Sequence, residues 1–197
     1  MTESSTSQGP GPFLQGAKVT LVPFTEEHLR HPAYHRWLSD LEIAKHIGQP
    51  SYLMPVSFGE LERYFHANAF QSSNVFLAVL ESGSRFVGTA RLSHINWLTH
   101  AAEVGIMIGE RSAQGKGLAS ESVELVVDYA FRTLNMRRLT AGAHVENRAS
   151  LQCFLRLGFQ QEGLLRQHAY VDGRYVDYMV LAMFRRDYPG IGKGQPA

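Results

Sequence analysis

Cysteine is almost missing from this chain: Cys153 is the sole one. One thiol cannot close an internal disulfide, so nothing in the sequence asks for an oxidising compartment. Long apolar runs are missing too, and no stretch reaches the roughly 18 residues that a membrane-spanning helix needs. Nor does one sign of charge dominate: 19 Lys and Arg face 18 Asp and Glu, for a net charge of +1. Neither nucleic acid nor an anionic membrane is therefore expected as a partner. A metal pattern is lacking as well. His28, His31 and His35 have near-helical spacing, but Pro32 interrupts it and no H-E-x-x-H motif follows, so no metal is expected. Met1–Pro12 is rich in Ser, Gly and Pro without the basic-then-apolar order of a signal peptide, which points to a cytoplasmic protein.

What remains is an ordinary globular composition, 197 residues with 44% hydrophobic, enough for a sizeable core. Residues 13–188 are expected to form a single domain, with disordered tails at 1–12 and 189–197. Alternating apolar residues predict strands at Ala17–Pro23, Asn74–Glu81, Arg85–Ser93, Ala102–Ile108, Arg138–His144, Gln160–Tyr170 and Tyr175–Phe184. Helical spacing predicts a short helix from Glu26 behind Thr25, a second piece over Tyr34–Leu41, and helices at Ser57–Asn68, Ala119–Leu134 and Ala149–Leu157. Turns are expected at Ser82–Ser84 and at Asp172–Gly173. That order predicts an α/β fold, a mixed sheet with helices on both faces.

The most informative stretch is Arg111-Ser112-Ala113-Gln114-Gly115-Lys116-Gly117-Leu118-Ala119-Ser120. It follows an apolar strand and opens a helix. Gly115 and Gly117 let the backbone approach a ligand with its N–H groups turned outward. The helix N-terminus adds partial positive charge, so the turn suits a pyrophosphate. Its spacing matches neither the nucleotide-hydrolysing P-loop nor the dinucleotide G-x-G-x-x-G fingerprint.

Gln114-x-x-Gly117-x-Ala119 resembles the Q/R-x-x-G-x-G/A coenzyme A motif of the GNAT acetyltransferases. Asn147-Arg148-Ala149-Ser150, followed by Phe154, Arg156, Gly158 and Phe159, resembles a second segment of that family. Ser150 and the turn Tyr170–Tyr175 resemble the Rim-type branch, the ribosomal-protein alanine acetyltransferases. The resemblance covers residues 17–186. It implies a largely antiparallel sheet of about six or seven strands, splayed between the fourth and fifth, Ala102–Ile108 and Arg138–His144. It also implies acetyl-CoA as co-substrate. Pantetheine amides would add like a strand against the main chain of Ile106, Met107 and Ile108. Gln114, Gly115, Lys116, Gly117, Leu118, Ala119 and Ser120 would hold the pyrophosphate. Asn147 would reach the pantetheine arm and Phe154 would pack beside it.

The implied reaction is direct attack of a neutral amine on the thioester. Glu103, on the strand lining the slot, is the leading candidate for the base; its bland reading is a solvated strand residue. The carboxylate that Rim-type enzymes can carry before the late tyrosine is replaced here by Ala169. The tyrosine that many GNAT enzymes place seven residues after the motif asparagine is Phe154, which cannot donate. Ser150, one turn earlier on the same face, is the candidate to hydrogen-bond the leaving thiolate. Cys153 reads as a buried thiol. Tyr34, Trp37, Trp97 and Tyr170 are candidate walls of an acceptor cleft. The acceptor amine stays open between a small molecule and a protein N-terminus, as does the oligomeric state. A non-catalytic acyl-CoA sensor is the rival reading.

Overall fold

The computed structural model describes residues 11–47, 54, 57–69 and 72–191. The expected disordered tails lie mostly outside these residues. Eight strands form one sheet: β1 (Leu14–Gln15), β2 (Val19–Pro23), β3 (Val75–Glu81), β4 (Arg85–Asn96), β5 (Ala101–Ile108), β6 (Arg138–His144), β7 (Gln160–Val171) and β8 (Arg174–Phe184). Their order across the sheet is β1-β2-β3-β4-β5-β6-β8-β7. Every neighbouring pair is antiparallel except β5 and β6, which run parallel. The strand beyond the expected six or seven is β1. Its two residues are too short for a periodicity signal and pair with Leu21 and Thr20.

Helices cover both faces. On one lie α1 (Glu26–Arg30), α2 (Pro32–Ser39), α3 (Leu41–Ala44) and α4 (Phe58–Ala69); on the other lie α5 (Leu118–Arg132) and α6 (Arg148–Arg156). Two cores result. In β3, Leu77 and Val79 enter the α5–α6 core while Ala78 enters the α1–α4 core. Alternation sends successive side chains to opposite faces, so a strand buried on both reads as a continuous apolar run. The α5 stripe Leu118, Ser122, Val123, Val126, Val127 and Ala130 follows helical spacing and is buried.

Local chemistry explains the boundaries. Pro32 does not break a helix but begins α2, where its missing N–H does no harm. Asp40 ends α2 and caps α3 by accepting from Glu42 N at 3.0 Å. The histidines near Thr25 are spent on helix starts: His28 Nδ1 accepts from Thr25 N at 3.2 Å, and His31 Nδ1 accepts from Ala33 N at 3.2 Å. Among the described residues no cluster of three metal-ligating side chains occurs. No helix among them is long and apolar enough to cross a membrane. The β7–β8 hairpin turns on Asp172 and Gly173, with φ of 49° and 81°, as a two-residue hairpin of the right twist requires.

Candidate active site

The site begins where the sheet comes apart. β5 and β6 pair only at Ala101↔Arg138, Ala102↔Leu139 and Glu103↔Thr140. Beyond that point Val104–Ile108 stays bonded to β4, and 141–144 stays bonded to β8, with no pairing between them. The inner edges thus carry backbone groups that a strand-like amide chain can satisfy. A cavity of about 1090 Å³ follows the opening. Ile106, Met107 and Ile108 line it from β5, and Asn147, Ser150 and Phe154 line it from α6 and its cap.

One end of the cavity reaches the glycine loop. Gln114, Gly115, Gly117, Leu118, Ala119 and Ser120 all border it. Gln114 is fixed by Nε2 donating to Ile108 O at 2.9 Å. Gly117 caps α5 at φ 83°, with no side-chain cap. The N–H groups of the first turn are therefore left for a ligand, where the helix dipole favours an anion. Lys116 departs from the expected set: its ammonium pairs with Glu81 at 3.0 Å, and it does not border the cavity. Lys18 also approaches the loop, its Nζ donating to Lys116 O at 3.3 Å, and it too stands outside the cavity lining. No motif marked Lys18, because it lies 98 residues away in sequence.

Asn147 caps α6: its Oδ1 accepts from Ser150 N at 3.2 Å. Ser150 borders the cavity from that first turn. Phe154 is buried against Phe159, with ring centroids 5.2 Å apart. Cys153 is also buried. Burial pushes its thiol up, which suits a packing residue, and it accepts from Ser120 Oγ at 3.5 Å, tying α6 to α5.

The α1–α4 face of the opening is polar. Glu103 lines it, with Oε2 3.3 Å from His94 Nδ1. His94 sits at φ 53° in a bulge of β4, which turns its ring toward Glu103. Further along, His46 Nδ1 and His144 Nε2 lie 2.8 Å apart with rings stacked at 5.0 Å. Burial lowers both below the usual histidine value, which favours the uncharged rings. Lys45 bridges Glu42 at 2.8 Å and Asp172 at 3.2 Å, joining α3 to the β7–β8 turn. Arg91 and Tyr178 complete this face. Burial, and after it the Glu103 carboxylate, pushes the Tyr178 phenol up. Reading the sequence singled out only Glu103 and, as a turn residue, Asp172; the others stand in no recognisable local motif.

Of the expected acceptor walls, Tyr34 and Tyr170 border the cavity. Trp37 and Trp97 do not. Trp37 is 2% exposed and lies across Gly109, where an added Cβ would meet its ring at 2.2 Å. Trp37 is thus a core residue, placed by the helical stripe that also buries Ala33, Tyr34 and Leu38. Trp97 sits in the β4–β5 turn, and its Nε1 donates to Ser72 O at 3.0 Å.

The geometry has counterparts among known proteins. The sequence profile described as Acetyltransferase (GNAT) domain matches residues 18–160. The chain is 35% identical to the uncharacterized N-acetyltransferase p20 of Bacillus licheniformis, over 60% of this chain and 66% of that one. It is 32% identical to the [ribosomal protein uS5]-alanine N-acetyltransferase of Escherichia coli (strain K12), over 53% of this chain and 54% of that one. The chain therefore spans about two thirds and about half of the length of these two curated relatives. The crystal structure of a spermidine N-acetyltransferase from Vibrio cholerae, in complex with CoA and spermine, superposes with a TM-score of 0.79. That match has 25% identity and covers 88% of this chain and 99% of that one. With a splayed parallel pair, a glycine loop opening α5 and a profile match over most of its length, this chain belongs to the GNAT acetyltransferase family.

Proposed function

We propose that residues 13–188 act as one acetyl-CoA-dependent N-acetyltransferase, moving an acetyl group to a small primary amine by direct attack in a ternary complex. The observation that carries this is the unpaired stretch between β5 and β6. It opens onto the Gln114–Ser120 loop at one end and onto a polar face bearing Glu103 at the other. In this reading the loop holds the pyrophosphate and Ile106–Ile108 bind pantetheine through main chain. Asn147 and Phe154 flank the pantetheine arm, and Tyr34 and Tyr170 bound the acceptor. Glu103 takes the amine's surplus proton, directly or through water.

Polyamines are the first acceptors to try, because the solved relative that aligns over 88% of this chain is a spermidine N-acetyltransferase. Glu103 gives the acceptor face a carboxylate for a charged amine, Glu42 being paired with Lys45. A protein N-terminal alanine is the second reading. It is favoured by the uS5-alanine relative and by the Tyr170–Tyr175 turn, whose Tyr170 borders the cavity.

The test is thiol release from acetyl-CoA against a panel holding spermidine, spermine, amino sugars and a peptide with N-terminal alanine. Release is expected with the small amines. Acetyl-CoA binding without release for any acceptor would replace the transferase with the sensor reading.

Ser150 carries a separate expectation. Ser150 borders the cavity one turn from Phe154, and in this reading its hydroxyl donates to the thiolate as charge develops there. A donor that strengthens in the transition state raises the rate more than it tightens ground-state binding. Ser150→Ala is expected to slow the single-turnover rate by about 1–2 kcal/mol, less than a full oxyanion donor because sulfur is a diffuse acceptor. Acetyl-CoA affinity should barely change. Equal losses in rate and affinity would leave Ser150 a helix-start residue only.

A further inference from the structure

The β5–β6 pairing stops at Glu103↔Thr140. The next facing positions on the same side of the sheet are Gly105 and Gly142. Neither has a side chain, and each is roofed by the side chain of a residue from the strand outside it. Arg91 of β4, the register partner of Gly105, lies over that glycine: an added Cβ would meet its Nε at 2.7 Å. Tyr178 of β8 lies over Gly142, where an added Cβ would meet Cε1 at 2.5 Å and the phenolic oxygen at 2.8 Å. Two flanking strands thus lean polar side chains inward over the mouth of the splay, one register step from Glu103. All three residues line the cavity.

Strand-like pantetheine running between β5 and β6 would bring its thioester to this mouth, where pairing resumes and the slot closes. From the α6 side the sulfur meets Phe154, a ring with no proton to give. Ser150 on that side offers a hydrogen bond, but an aliphatic hydroxyl is too weak an acid to give up its proton.

We propose that Tyr178 is the catalytic proton donor to the departing thiolate, reaching it from the acceptor face across Gly142. This rests on the acetyltransferase reading. The amine nitrogen forms a bond to the thioester carbon, and the C–S bond breaks with its electron pair going to sulfur. The thiolate takes the phenolic proton, while Glu103 takes the surplus proton from nitrogen. Proton transfer from Glu103 to the phenolate through water then restores both groups. The charged and titratable groups around Tyr178 suit this cycle. Burial and, after it, Glu103 on β5 hold the phenol protonated in the resting enzyme, and Arg91 on β4 offsets the phenolate that follows. His168 on β7 packs edge-on to the ring at 5.5 Å and His144 on β6 is its register partner, which holds the phenol in place.

Tyr178→Phe keeps the ring over Gly142 and removes only the hydroxyl. It is expected to lower kcat by roughly tenfold to a hundredfold, with acetyl-CoA affinity unchanged and the unfolding midpoint near that of the wild type. Adding Phe154→Tyr to that variant is expected to restore part of the rate from the opposite side. A Tyr178→Phe enzyme with wild-type kcat, or one losing rate and affinity equally, overturns the proposal. Absence of thiol release by the wild type with every amine removes the transferase reading and this inference together. An active wild type with an equally active Tyr178→Phe variant removes this inference alone.

Discussion

Gly117→Val is expected to lower acetyl-CoA affinity by about a hundredfold, or roughly 2.7 kcal/mol, in a protein that still folds. Gly117 holds φ at 83° where it caps α5. A β-branched residue is strained there by about 1–3 kcal/mol. Domain stabilities of about 5–15 kcal/mol absorb that strain, so the fold should persist. Space does not forbid the side chain: the nearest atom to an added Cβ is Lys18 Nζ, at 3.4 Å. The backbone itself is the obstacle. Relaxing φ to negative values swings the N–H groups of Leu118 and Ala119 away from the ligand side. The helix dipole then meets no aligned donors for a pyrophosphate. Calorimetric titration with acetyl-CoA, beside a thermal melt, checks this. Wild-type affinity in a folded variant would take the pyrophosphate away from this loop.

Glu103→Gln should lower kcat/KM by about 10²-fold or more at pH 7 with an alkyl primary amine. The acceptor's own chemistry sets the pH dependence. An amine of lysine type, with pKa about 10.4, is protonated at pH 7, and reaching its neutral form costs about 4.6 kcal/mol. For an α-amine at about 7.7–8.0 the cost is only about 1–1.4 kcal/mol. A missing base therefore hurts the first acceptor more, and hurts it most at low pH. The deficit should shrink as pH rises toward the amine's own pKa. Glutamine keeps the shape, and His94 beside Glu103 is an exposed partner worth little to stability, so the fold is not at issue. Profiles of kcat/KM against pH for both forms decide it. Curves of equal height and shape would make Glu103 a plain strand residue.

The parts of this protein legible in its sequence are those fixed within a few residues of chain. The Gln114–Ser120 loop, Asn147 at the head of α6, the Asp172–Gly173 turn and the alternation of β3 each depend on local hydrogen bonds, allowed φ or side-chain period. The expected strands and helices accordingly fall within a few residues of the observed ones. The two-residue β1 was invisible because its strand character comes only from pairing with β2.

Tertiary structure alone decided which side chains meet. Trp37 and Tyr34 share one short helix, yet Tyr34 borders the cavity and Trp37 packs over Gly109. Only the position of α2 against the sheet separates them. His46 and His144 touch across 98 residues of chain. Arg91 and Tyr178 converge because β4 and β8 flank the splayed pair, an order settled by the crossovers that carry α5 and α6 behind the sheet. A residue's own neighbours in sequence determine its backbone shape and the side of the strand it faces. What stands opposite that side is chosen by strand order, which is set by the packing of whole elements. The sequence alone therefore pointed to the glycine loop before α5, while the groups on the polar face of the opening emerged only when the strands were placed side by side.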